Sequence, residues 1–187
     1  SAYDPQTGKY QATDAQGNVL RNADGTAQIA YDQSTGTYRT ADGAGVSYDS
    51  GTGQWLARDA NGSTASGIVY DTTDKRFEAA GTGAAVNYEN GNFVAAGTNG
   101  NVVWDAQQNR FEDRTSGGVV MSDPGGSGQW FRVSQDGQSI ERLAGGQAGQ
   151  ANWERAGNAP MEVRNGEVIA QGTNGNVVFD QAQGRFE

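Results

Sequence analysis

The chain has 187 residues, of which 35% are hydrophobic; 22 acidic against 13 basic residues give a net charge of −9, and there is neither His nor Cys. Scattered cations outnumbered by acids argue against a nucleic-acid partner, and the missing residue types exclude disulfide scaffolds, Ser/His and Cys/His nucleophiles and both favoured zinc ligands. A low apolar fraction with 29 glycines predicts many turns between short strands around a thin core.

In chain order, the first element is the string Tyr3-Asp4-Pro5-Gln6-Thr7-Gly8, closed by Tyr10. Two aromatics seven positions apart, with Asp after the first and Gly before the second, are the chemistry of a tight hairpin. The Asp side chain accepts backbone N–H groups two or three residues on, and Gly takes positive φ without a Cβ penalty. The same spacing returns at Tyr31/Tyr38, Tyr48/Trp55, Tyr70/Phe77, Trp104/Phe111 and Phe179/Phe186. Asn90-Gly91 and Asn165-Gly166 predict type I′ turns in two further hairpins. Period-two alternation puts Val46, Tyr48, Trp55, Ala57, Ile68, Tyr70, Phe77, Ala79, Val86, Tyr88, Phe93, Ala95, Val102 and Trp104 on one face, with Ser47, Arg58, Asp71, Glu78, Asn87 and Asn101 on the other. No window has helical periodicity. Around Thr115 to Asp123 the pattern loosens, which predicts a boundary between a regular hairpin region, 1–118, and a second repeat region with longer loops, 119–187. Within the latter, Asp123 to Gly128 reads as a loop before Trp130 and Phe131, and the Gly- and Ala-rich stretch from Leu143 to Gly149 as a flexible connection.

A longer repeat overlies the hairpins. Gly97-Thr98-Asn99-Gly100-Asn101-Val102-Val103-Trp104-Asp105 returns as Gly172-Thr173-Asn174-Gly175-Asn176-Val177-Val178-Phe179-Asp180, and Arg110-Phe111-Glu112 as Arg185-Phe186-Glu187. Such recurrence marks an array whose neighbours cover each other's apolar faces. Tyr3 opens a unit almost at once and Glu187 closes one, as expected of a segment from a longer repetitive protein.

The string from Tyr3 to Tyr10 resembles chignolin, a designed minimal hairpin, which implies a local fold and no function. Tyr3-Asp4, followed by Asp14-Ala15-Gln16-Gly17-Asn18, is similar to the YD (RHS) repeats of bacterial surface and toxin-shell proteins. The chain departs from them where Thr-Gly and a second aromatic replace Gly-Arg-Leu. Tyr-Asp-x-x-Thr-Gly-x-Tyr strings also resemble those in the outer domains of bacterial flagellins. These resemblances imply a bacterial exterior location, extracellular or at the cell surface.

Catalytic residues are few in kind. A glycosidase-type carboxylate pair needs only two acids, but Asp4, Asp32, Asp49, Asp71, Asp105 and Asp180 all fall at predicted turns, where backbone capping accounts for them. Neither an EF-hand nor a calcium-binding nonapeptide is present, so no metal site and no cofactor are expected. The aromatics are needed for the core; Trp130 and Trp153, outside the regular pattern, are the candidates for an exposed glycan platform. No run of about twenty apolar residues spans a membrane. The expected fold is all-β, a meander of repeated antiparallel hairpins arranged as an extended sandwich or stacked repeat. The expected function is structural rather than enzymatic: a surface-exposed segment of a bacterial extracellular fibre, filament or adhesin stalk that associates with itself, with a glycan-binding module as the alternative.

Overall fold

The computed structural model describes all residues, Ser1–Glu187, and contains strands and turns but no helix. Twenty strands follow in antiparallel order. β1 (Ala2–Asp4), β2 (Lys9–Gln11), β3 (Ile29–Asp32), β4 (Thr37–Thr40), β5 (Gly45–Asp49), β6 (Gln54–Arg58), β7 (Thr64–Asp71), β8 (Arg76–Ala79), β9 (Ala85–Glu89), β10 (Asn92–Ala95), β11 (Val102–Asp105) and β12 (Arg110–Asp113) form one open 12-stranded meander in sequence order. β13 (Val120–Ser122), β14 (Trp130–Val133), β15 (Ile140–Gln147) and β16 (Gln150–Arg155) make a second sheet. The hairpins β17 (Met161–Arg164)/β18 (Glu167–Ala170) and β19 (Phe179–Asp180)/β20 (Arg185–Phe186) complete the chain.

The register explains the spacing of the aromatics. Tyr3 faces Tyr10, Tyr31 faces Tyr38, Tyr48 faces Trp55, Tyr70 faces Phe77, Trp104 faces Phe111 and Phe179 faces Phe186. Each pair meets tilted or edge-on at 5.1–5.4 Å between ring centroids, the geometry aromatic quadrupoles prefer. Asn90 and Gly91, with φ of 49° and 81°, and Asn165 and Gly166, with 52° and 81°, close their hairpins with two positive-φ residues as a type I′ turn requires.

A four-stranded unit repeats within the meander. β3 to β6 correspond to β7 to β10, with Tyr31 matching Tyr70, Tyr38 matching Phe77, Tyr48 matching Tyr88 and Trp55 matching Phe93. The third unit, β11 to β14, puts Trp104, Phe111 and Trp130 at the same places and carries the match across the change of sheet. Val120 and Trp130 belong to the same core cluster as Val46, Phe77 and Trp104. A smaller cluster, including Met121, Phe131, Met161 and Phe179, lies on the other side of β13 and β14. β13 and the start of β14 are therefore buried on both faces, which is why Val120-Met121-Ser122 has no polar alternation.

Two expectations are corrected. The stretch from Leu143 to Gly149 is no loose connection but the arm and tip of the β15/β16 hairpin, with a bulge between Leu143 and Gly145. Gly145 and Gly146, at φ 127° and 126°, adopt backbone that side chains disfavour, so the glycines shape the strand. The second concerns exposure of Trp130 and Trp153, taken up below.

Candidate interaction surface

Trp130 is 4% exposed and stands edge-on to Phe111 with centroids 5.0 Å apart. It is the third unit's counterpart of Trp55 and Phe93, so the irregular sequence around it conceals a regular core position. Trp153 packs against the core, its Nε1–H donates to Asp113 Oδ2 at 2.7 Å, and the Arg132 guanidinium covers its ring at 4.7 Å. The buried Asp113 carboxylate also accepts Arg132 Nη1–H at 2.9 Å and the backbone N–H of Thr115 at 2.9 Å, while Arg132 Nε–H reaches Glu141 at 3.1 Å. This network ties β12, β14, β15 and β16 together. Trp130 offers no free face, and Trp153's is taken by a guanidinium.

The turn acids act on their own hairpins. Asp4, Asp32, Asp49, Asp71, Asp105 and Asp180 each accept the backbone N–H two residues on, at 2.7–2.9 Å. These bonds favour the ionised form, so Asp4 (chiefly through the Gln6 N–H), Asp32 (chiefly through the Ser34 hydroxyl) and Asp105 (chiefly through the Gln108 N–H) titrate below the usual carboxylate value.

One acidic group is denser. Carboxylate oxygens of Asp71, Asp74 and Glu78 lie within 4.8 Å of one another. Arg76 answers that charge, with Nε 2.9 Å from Glu78 Oε1 and Nη2 3.9 Å from Asp74 Oδ2. The same Arg Nε–Glu Oε1 contact recurs at Arg110/Glu112, 3.0 Å, and Arg185/Glu187, 3.1 Å. Burial raises the Glu78 and Glu112 carboxyls above the ordinary value against the pull of their arginines. The recurrence makes this ion pair a fixture of the hairpin itself.

The available aromatics lie at the other end. Tyr3, Tyr10 and Tyr48 are 56%, 49% and 56% exposed and Tyr31, Tyr38 and Trp55 half-buried, whereas Tyr70, Phe77, Phe93, Trp104 and Phe111, the counterparts of Tyr31, Tyr38 and Trp55 in later units, are buried. Tyr38, Tyr48 and Trp55 stack into one another at 5.3–5.4 Å and line a groove of about 370 Å³, with Ala12, Thr13 and Asp14 among its other walls. Asp14 is kept ionised by hydrogen bonds, first that of the Asn18 side-chain amide. Sequence reasoning missed this groove because its aromatics fit the regular pattern as well as the buried ones do.

Side chains join units at separations of 43 to 46 residues: Gln28 Nε2–H to Thr72 O at 3.2 Å, Asn109 Nδ2–H to Ser66 Oγ at 3.0 Å, and Asn101 Nδ2–H to Gln147 O at 2.7 Å. Gly67 lies so close to the Trp104 ring that a Cβ there would stand 2.6 Å from it, and one on Gly184 would stand 2.8 Å from it. The two glycines let the indole sit between backbones. Compared with known proteins, the chain matches no protein-family model, no curated protein and no solved structure.

Proposed function

We propose that this chain is a structural segment of a bacterial extracellular fibre, filament or adhesin stalk, exposed at the surface, which provides folded length and associates with itself. The observation that carries this reading is the repeated four-stranded unit, β3 to β6, β7 to β10 and β11 to β14, tied together by side-chain bonds across 43 to 46 residues. In repeat proteins, length comes from adding units, and an end unit with an apolar face calls for a cap or another unit. Hairpins built from local contacts form readily after export. β1 is an edge of the 12-stranded sheet, with no strand on its outer side and two exposed tyrosines, Tyr3 and Tyr10, on its hairpin; such an edge extends by pairing. Electron microscopy of the purified chain in near-physiological salt, with and without calcium, tests the reading: ordered polymers support it, and dispersed particles at every concentration refute it.

One observation favours a second reading, a glycan-binding module. The groove of Tyr38, Tyr48 and Trp55 has the size and mixed apolar and polar lining of a small-ligand site. In this reading the platform is that groove, in place of Trp130 and Trp153. Protection of tryptophan fluorescence from acrylamide by cello- or chito-oligosaccharides, lost in Tyr48→Ala, is the expected result; quenching indifferent to sugar removes it.

A further inference from the structure

The same five-residue turn is built four times between Asp14 and Ser63, at Asp14–Asn18, Asn22–Thr26, Thr40–Ala44 and Asp59–Ser63. In each, the N–H of the first residue donates to the carbonyl of the fifth. The N–H of the fourth, a glycine at φ of 78° to 88°, donates to the carbonyl of the first. Where the turn opens on Asp, its Oδ1 also accepts the N–H groups of the third and fifth residues, at 2.8–3.0 Å. The backbone of the turn therefore fixes only the first and fourth residues. The third place accepts Gln16, Asp24, Asp42 or Asn61, and the fifth Asn18, Thr26, Ala44 or Ser63.

The fourth copy, between β6 and β7, differs in what its free places spell and in what they bond. Asn61-Gly62-Ser63 is the only Asn-x-Ser/Thr triplet in the chain. In the other turns a polar fifth side chain folds back: Asn18 Nδ2–H donates to Asp14 Oδ2 at 3.1 Å, and Thr26 Oγ1–H to Asp24 Oδ1 at 2.6 Å. The Ser63 hydroxyl and the Asn61 side-chain amide make no such bond; only their backbone N–H groups are engaged, by Asp59. Asn99, Asn101 and Asn109, by contrast, commit their amides to the β15/β16 tip and to Ser66 and Ala182. Residues 60–64 are all exposed, and a Cβ on Gly62 would meet nothing within 4 Å. Asp59 thus holds the loop's backbone and leaves both polar side chains free in open space.

We infer that Asn61 is an N-linked glycosylation site, the acceptor for an oligosaccharide carried on a polyprenyl pyrophosphate. An Asn-x-Ser/Thr triplet on a surface loop of an exported chain is the substrate such transfer requires. The chemistry needs both free groups. The amide nitrogen has to leave conjugation with its carbonyl to act as a nucleophile, and the hydroxyl two residues on is the handle by which the enzyme holds the triplet. Asn61 Nδ2 bonds to the sugar C1 as the bond from C1 to the pyrophosphate oxygen breaks. One amide proton passes to the transferase, and the polyprenyl pyrophosphate departs. The inference rests on the extracellular location proposed above and is independent of self-association.

The test uses the purified, folded chain in native buffer with a single-subunit bacterial oligosaccharyltransferase, its divalent cation and a synthetic polyprenyl-pyrophosphate oligosaccharide. The unaltered chain is expected to gain the mass of one oligosaccharide, mapped to Asn61 by tandem mass spectrometry. Asn61→Gln and Ser63→Ala should each abolish the gain. Gln and Ala already stand at those places in sister turns, as Gln16 and Ala44, so both variants keep the fold, which circular dichroism checks. With the enzyme shown to be active on a standard acceptor peptide, a folded chain left unmodified overturns the site, as does a mass gain that survives either variant. Neither failure touches filament formation, which electron microscopy judges separately.

Discussion

Replacing Gly67 by Ala tests the stacking directly. An added Cβ would stand 2.6 Å from two atoms of the Trp104 ring and 2.9 Å from Gly184 O. The indole cannot swing clear, because Gly184 already confines it, with a hypothetical Cβ there only 2.8 Å from the ring. Gly184 is held in turn by its own hairpin and by Asn109, whose Nδ2–H bonds Ala182 O at 2.6 Å. Overpacking a confined core position costs about 1–3 kcal/mol, and loss of the Asn109 bonds would add about 1 kcal/mol, so Gly67→Ala is expected to destabilise by roughly 2–4 kcal/mol. For a chain of this length that lowers Tm by about 4–16 °C. Urea unfolding measures it, with Gly157→Ala as a control: a Cβ at Gly157 meets nothing within 4 Å, and its φ is not positive. Trp104→Phe should rescue part of the loss, since the Trp104 Nε1–H is buried without a partner and phenylalanine leaves room for the new methyl. A Gly67→Ala variant as stable as the control would refute the claim that the hairpin after Asp180 is clamped through Trp104 onto β7.

Asp113→Ala removes the common acceptor of Arg132 and Trp153 and leaves a mostly buried guanidinium short of a partner; a loss of about 3–5 kcal/mol is expected, read by urea unfolding together with a red shift of tryptophan emission. Asn101→Ala removes the two bonds of a buried side chain, to Gln147 O and from Gly149 N–H, and should cost about 1–3 kcal/mol, whereas Asn176→Ala, at the repeat-equivalent exposed site, should stay within about 0.5 kcal/mol; equal effects would refute the difference between the two motif copies. Stability should peak in mildly acid solution. Glu78 and Glu112 have folded pKa values above 4.5, so the native state binds more protons there and stability falls as pH rises from about 4.5 through the raised values. The turn aspartates have folded values below 3.8, so their contribution is present above that pH and is lost as pH falls through the lowered values. Urea midpoints measured across this range should flatten on the alkaline side in Glu78→Gln/Glu112→Gln. Tyr70, pushed up to about 12 by burial, makes stability fall between pH 10 and 12, where the unfolded tyrosine ionises and the folded one does not; Tyr70→Phe should remove that slope.

Local chemistry determined the hairpins. The Asp-to-Gly turns, the Asn-Gly pairs and the seven-position aromatic spacing each act within a dozen residues, so the pairing of Tyr3 with Tyr10 or Trp104 with Phe111 could be read directly from the string. Alternation likewise marked the inward face from Val46 to Trp104, because a half-buried strand must repeat every second residue. Which aromatics stay in water was not local information. Tyr48 and Tyr88 sit in the same pattern, yet Tyr48 is exposed and Tyr88 packs against the core, a difference set by surroundings that the alternation does not encode. Trp130 looked irregular only because the long Asp123–Gly128 turn displaces it in sequence, while the fold returns it to the aromatic row beside Phe111. The Gly-rich arm at β15 and β16 was unreadable for a related reason: it has few side chains to show a period, and its shape serves Asn99 and the buried Asn101 some 46 residues earlier. Sequence alone thus determined the unit of construction, whose forces act across a single turn; only the tertiary structure decided how the units join, because that depends on contacts between residues more than forty positions apart.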